Sequence, residues 1–152
     1  AIALMTLYIQ KNKQSPLRIE TLTLAALIHN IGVLPILNEA KAHPEVFANA
    51  EFLEKAITKF SNEIAVEMTK AWDFSEDFRE VVKTWNDLSV LPQNAHYIDF
   101  IRAGAVYHEV FKNNSTRDFL LESYVEKGIL PELNFMESEA FLEILADTKS
   151  MF

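Results

Sequence analysis

The stretch Leu22–Asn38 constrains the fold more than any other part of the chain, because it is almost wholly apolar yet carries His29 and Asn30 side by side. Its first half is apolar on nearly all sides of a helix, which is typical of a buried central helix. Gly32 and Pro35 predict that this helix ends or bends soon after the polar pair. We therefore expect the rest of the chain to pack around it.

Helical periodicity recurs along the whole chain, which predicts an all-α fold. Three glycines in 152 residues and few alternating runs argue against a sheet. The pattern predicts a first helix from residue 2 to between residues 11 and 14, and further helices over approximately 16–30, 50–57, 60–72, 75–86, 95–111, 119–125 and 137–146. Ser15 and Pro16 have the residue types of an N-cap and a first helical position. We expect an irregular bundle of about seven helices.

Two neighbouring helices have clear apolar faces, and each face includes one of the two tryptophans. The first face comprises Phe60, Ile64, Met68, Ala71 and Trp72. The second comprises Phe74, Phe78, Val81, Val82 and Trp85. The run Asp73-Phe74-Ser75-Glu76 has the pattern of a capping box that opens the second helix. Because the connection is short, the helices should form an antiparallel pair with Trp72 and Trp85 in the core.

Composition excludes several classes of function. There is no cysteine, so disulfides and thiolate chemistry are absent. The net charge of −8 disfavours binding to nucleic acid or to an anionic membrane surface. No uninterrupted apolar run reaches the length needed to cross a membrane, and because residues 1–13 lack a basic n-region we expect no signal peptide there. We expect a cytoplasmic protein, and the length of 152 residues predicts a single domain.

An apolar helix that ends in His-Asn-Ile-Gly at His29–Gly32 resembles the HD signature of metal-dependent phosphohydrolases. Glu63-Ile64, then Trp72, then a helix over 75–86 follow in an order that resembles the HDOD family, an HD-related output domain of bacterial signalling proteins. The resemblance covers roughly residues 1–110. It implies an HD-domain-like arrangement of helices.

The resemblance also implies that most of the metal ligands of an HD site are missing. The HD doublet corresponds to His29 and Asn30, so an amide stands where the family has a carboxylate. The histidine of the family's His-x-Glu corresponds to Ser61, although Glu63 is retained. The closing His-His pair corresponds to Trp85 and Asn86, and the final aspartate to the Ala-Gly-Ala of residues 103–105. One imidazole and one amide do not hold a metal that must activate water.

We therefore expect a degenerate site with no metal, no cofactor and no catalytic residue, in which His29 and Asn30 are vestigial. The resemblance then implies a regulatory domain of bacterial signal transduction that binds a protein partner or a small effector. A phosphohydrolase with ligands of another kind and a helical oligomerisation module are the alternatives. His29 could also be an ordinary core histidine with a satisfied hydrogen bond.

The first residues of the chain indicate which partners it contacts. The chain begins without methionine inside an apolar periodic segment, so we expect it to be a piece of a longer protein whose N-terminal helices are missing. Ile2, Leu4, Met5 and Leu7 would then be left uncovered. An exposed apolar patch is typically a contact site. We expect contacts with other domains of the same protein, or a homodimer formed through this helix.

Overall fold

The computed structural model describes Ala1–Ser150, and within this range every regular element is helical. The α-helices are α1 Ile2–Lys11, α2 Ile19–Ile28, α3 Val33–Lys41, α4 Pro44–Phe47, α5 Ala50–Ala71, α6 Glu76–Thr84, α7 Tyr97–Tyr107, α8 Asn114–Glu126 and α9 Glu139–Lys149. A 3₁₀ turn, Phe135–Glu137, precedes α9. The all-α prediction is confirmed.

The described chain divides into two compact units. Unit 1 contains residues 1–26 and those from Leu91 onward, and unit 2 is Leu27–Val90. The boundary lies between Ala26 and Leu27, near the end of α2. That the whole chain forms a single domain stays a prediction.

In unit 1, α1 packs against α7 and α9, and α7 packs against α8. Its largest fully buried apolar side chains are Tyr124, Phe100, Leu4, Met5, Leu22, Ile98, Leu120 and Leu130. Helix α7 starts with a capping box, in which the backbone N–H of His96 donates to Asp99 Oδ2 at 3.0 Å and the His96 side chain accepts a backbone N–H in return. Gly128 ends α8 with a φ of 68°, a conformation that favours glycine.

The first helix is more deeply buried than the sequence suggests. Its predicted start and end at Ile2 and Lys11 are confirmed, but Leu4 and Met5 are only 1% and 0% exposed. The expectation that these side chains are uncovered is wrong for Leu4 and Met5, which are fully buried, while Ile2 and Leu7 are half-buried. A homodimer formed through this helix stays a prediction.

In unit 2, the helices α3, α4 and α6 all pack against the long helix α5. The buried faces meet at Ile28, Ala65 and Val82, with Phe74 and Phe78 packed against them. The predicted pairing of two neighbouring amphipathic helices is confirmed, since α5 and α6 form the largest helix–helix contact of this unit.

The predicted apolar face of α5 is partly wrong. Its buried residues are Ser61, Ala65 and Thr69, whereas Phe60 is 44% and Trp72 52% exposed. Small residues are buried because α5 is crossed closely by its neighbours, and the large side chains lie on the open side. Trp85 is 8% exposed, so the prediction of a core position is confirmed for this tryptophan only.

The structure differs from the prediction at the starts of α2 and α3 and at the cap of α6. Helix α2 begins at Ile19 instead of Pro16, and the backbone N–H of Arg18, just before it, donates to the Tyr97 hydroxyl at 3.1 Å. Helix α3 passes through Pro35, which is tolerated because the proline stands in the first turn, where its missing N–H has no helical partner. Ser75 is the N-cap of α6, but its side chain makes no capping hydrogen bond.

The stretch Ile19–Lys41, 23 residues long, is apolar enough to cross a membrane by length and composition alone. This differs from the expectation that no run reaches that length. The buried core helix of a globular protein meets the same criterion, and the stretch is interrupted by the turn between α2 and α3. The absence of membrane contact and the cytoplasmic location stay predictions.

Candidate functional site

His29 and Asn30 lie in the tight turn between α2 and α3, in unit 2. Two backbone hydrogen bonds close this turn: Ile31 N–H donates to the Ile28 carbonyl at 2.9 Å, and Val33 N–H donates to the Asn30 carbonyl at 3.2 Å. His29 is half-buried and Asn30 is exposed. Adjacent residues thus face different surroundings, and the doublet does not point both side chains into one cavity.

Gly32 positions this turn against α5. A Cβ atom at residue 32 would lie 1.9 Å from the backbone oxygen of Ser61 and 2.8 Å from the backbone nitrogen of Ala65. Only glycine permits two backbones to approach so closely. The site is therefore built on a direct contact between the turn and the middle of α5.

The imidazole of His29 packs edge-to-face on the indole of Trp85. The ring centroids are 4.7 Å apart and the ring planes meet at 88°. Trp85 follows the last residue of α6 and is 8% exposed. Edge-to-face pairs at this distance are favourable aromatic contacts. The sequence contains no signal for this pairing, because 56 positions separate the two residues and periodicity gives no distances.

The other positions that the resemblance assigns to metal ligands do not form a cluster with His29. Ser61 is buried at 3% exposure, and its hydroxyl lies 3.5 Å from Asn62 Oδ1. Glu63 is exposed. Asn86 Oδ1 accepts a hydrogen bond from the Asn62 amide at 2.7 Å, and the same amide donates to the Lys83 carbonyl at 2.9 Å. Asn62, which the sequence analysis missed, thus connects α5 to the end of α6.

The Ala-Gly-Ala position of the resemblance lies on α7 in unit 1, where Ala103 is fully buried and offers no ligand atom. One turn earlier, Asp99 is 1% exposed. Its Oδ1 accepts from Lys127 Nζ at 2.7 Å while its Oδ2 accepts from the His96 backbone. The three-residue spacing of His96 and Asp99 is the feature of the sequence that could have predicted this cap.

Tyr124 packs near this ion pair. Its hydroxyl is buried and has no hydrogen-bond partner among the described residues. Burial, together with the negative charge of Asp99, raises the pKa of Tyr124 well above its usual value. The phenol is therefore held in its neutral form.

The residues near His29 do not fit a divalent metal. Within residues 1–150, no three His, Asp or Glu side chains converge in a way that could hold an ion. The indole that packs on His29 supplies no ligand atom, and hard divalent ions require several oxygen or imidazole ligands. We derive no reaction step through a metal. The absence of catalysis stays a prediction.

Comparison with solved structures gives one protein with the same fold. A crystal structure from Shewanella amazonensis SB2B, named "Putative metal-dependent phosphohydrolase", superposes with a TM-score of 0.88 at 38% sequence identity. The match covers 97% of this chain and 53% of the other, so the chain spans about half the length of that protein. No family model matches the chain, and no curated protein matches it.

This likeness, with the all-helical architecture, gives the chain an HD-superfamily-like fold. The predicted fold class is thereby confirmed. The narrower HDOD assignment stays a prediction.

Proposed function

We propose that the chain is a non-catalytic regulatory domain of the HDOD type, which acts in bacterial signalling by binding a protein partner or a small effector. The observation that carries the proposal is the contact between His29 and Trp85. A buried indole at 4.7 Å stands against the one imidazole of the vestigial doublet and supplies no metal ligand. No metal and no other cofactor belongs to this function.

The surroundings of the contact support the same proposal. The Asn62–Asn86 hydrogen bond joins α5 and α6 through neutral groups, which give no charge to balance a divalent ion. Ser61 is 3% exposed, and its backbone oxygen faces Gly32, so a hydroxyl and not an imidazole stands at this buried position. These packed positions suit a structural role for His29.

Exposed apolar side chains in unit 2 support protein binding. Leu27 is 76% and Leu34 is 59% exposed, on either side of the His29 turn. Large apolar side chains in the open are candidates for contact with another protein surface. The partner is another domain of the same protein, a second copy or a separate protein, and the cytoplasm is the compartment. The net charge of −8 argues against nucleic acid.

The proposal is tested by metal content and activity together. We expect purified protein to contain sub-stoichiometric Mn, Fe, Mg and Zn by elemental analysis, and to hydrolyse no phosphomonoester or phosphodiester above buffer. Asn30→Asp alone should leave both results unchanged, because the other ligands are still missing. Asn38→Asp, elsewhere in unit 2, is the matched control. One or two tightly bound transition metals per chain, or metal-dependent hydrolysis, would overturn the proposal.

A metal-dependent phosphohydrolase is the second candidate, and the name of the similar crystallised protein favours it. It requires ligands outside the resemblance, and metal-stimulated hydrolysis would establish it. A helical oligomerisation module is the third. Sedimentation of the wild type and of Leu27→Lys decides whether these exposed leucines mediate self-association: a dimer that the substitution dissociates would support this function.

A further inference from the structure

A groove between α5 and α6 contains most of the positive charge of unit 2. It has a volume of about 670 Å³. The residues that line it are Thr58, Lys59, Asn62, Glu63, Val66, Glu67, Lys70, Glu76, Arg79 and Lys83. Four of the six Lys and Arg residues of Leu27–Val90 are among them. Three glutamates belong to the same lining, so the groove has a net charge of +1 in a chain with a net charge of −8.

At one end of the groove, the charges are already paired. Lys70 Nζ lies 2.7 Å from Glu67 Oε1, and Arg79 Nη2 lies 3.0 Å from Glu76 Oε2. The Nε of Arg79 is buried, so a ligand in the groove does not reach it, and the guanidinium is held by Glu76.

At the other end, the cations lack carboxylate partners. Among the described residues no ion pair joins Lys59 or Lys83 to an acid. The Nζ of Lys59 lies over the Phe60 ring, 5.1 Å from its centre. Since α5 and α6 are antiparallel, these two lysines belong to the same end of the groove. Asn62 stands there as well, where its amide binds the Lys83 carbonyl and holds the helices together.

We propose that this groove binds a small phosphorylated molecule, with Lys59 and Lys83 contacting the phosphate. A dianionic group is stabilised by more than one cation, and ammonium groups bind phosphate as point charges. The lining includes a single aliphatic residue, Val66, so the ligand is polar and not a hydrocarbon. This proposal rests on the proposed function and makes it more specific, because it names a class of effector.

The test uses the whole chain and inorganic pyrophosphate without metal. Titration followed by ¹⁵N amide shifts should saturate and should move Lys59, Asn62 and Lys83. Lys83→Glu should weaken binding by about tenfold or more, because a charge-assisted contact is lost and a repulsive charge is added. Lys41→Glu makes the same change in net charge outside the groove and should leave the affinity unchanged. Lys83→Gln should also weaken the binding of pyrophosphate while its melting temperature stays unchanged, which would show that the loss of binding is not caused by unfolding.

Further outcomes would overturn the proposal. One is the absence of saturable shifts at matched ionic strength. Another is equal weakening by the two glutamate variants, since that would show a response to net charge only. Binding to phosphatidylglycerol vesicles but not to pyrophosphate would assign the cations to a lipid surface and also contradict a small-molecule site. A metal-free, inactive protein that fails to bind pyrophosphate would refute the groove while leaving the regulatory function standing.

Discussion

Replacing Gly32 with alanine should destabilise unit 2 strongly. The added Cβ would lie 1.9 Å from the Ser61 carbonyl oxygen, whereas real Cβ atoms essentially never approach another atom closer than 3.0 Å. The turn and α5 must therefore separate by about 1.1 Å. Both facing atoms are backbone atoms and no side chain can rotate away. Overpacking typically costs about 1–3 kcal/mol, and we expect a loss of about 3 kcal/mol. The melting temperature should then fall by about 6–12 °C.

Urea unfolding monitored by tryptophan fluorescence is the appropriate assay, because Trp72 and Trp85 both belong to unit 2. Gly104→Ala is the matched control. A Cβ there meets nothing closer than 3.5 Å, and alanine in a helix interior is favoured over glycine by about 1 kcal/mol. The same chemical change should thus destabilise at residue 32 and stabilise at residue 104. A Gly32→Ala protein within about 0.5 kcal/mol of wild type would refute the close approach.

The two tryptophans should differ strongly in the cost of their truncation. Trp85→Ala removes a buried ring and should cost about 3–5 kcal/mol, while Trp72→Ala, at a position 52% exposed, should cost less than about 1 kcal/mol by urea unfolding. Lys127→Met should cost about 3–5 kcal/mol because it leaves Asp99 charged and buried, and a smaller loss in the double variant with Asp99→Asn would identify the pair as the cause. Tyr124→Phe should be neutral or stabilising at pH 7, since the hydroxyl has no hydrogen-bond partner among residues 1–150. Because the folded pKa of Tyr124 is raised above its usual 10.0, the wild type should lose stability as pH rises above 10, and the phenylalanine variant should lose less.

The sequence predicts what is local and fails where tertiary contacts decide. The limits of α1 and the burial of Val81, Val82 and Trp85 follow from helical periodicity, which the structure confirms. Periodicity shows that side chains share a face but does not say which face is covered, and Trp72 is exposed for this reason.

The candidate site is predicted in part only. The sequence identifies the His29–Asn30 doublet, but the partner of His29 is Trp85, which is far away in the chain. Asn62 was missed because its role depends on a crossing of two helices that no local pattern encodes. The Tyr97 hydroxyl on α7, which accepts the backbone N–H of Arg18 just before α2, is likewise a partner that no local pattern shows.

The contact at Gly32 also has a mechanical consequence. Side chains between two helices normally change rotamer and absorb small displacements, so that one helix can slide without moving its neighbour. Where the turn touches the backbone of α5 at Ser61 and Ala65, this compliance is missing. A displacement of α5 along its axis therefore also displaces the turn that contains His29.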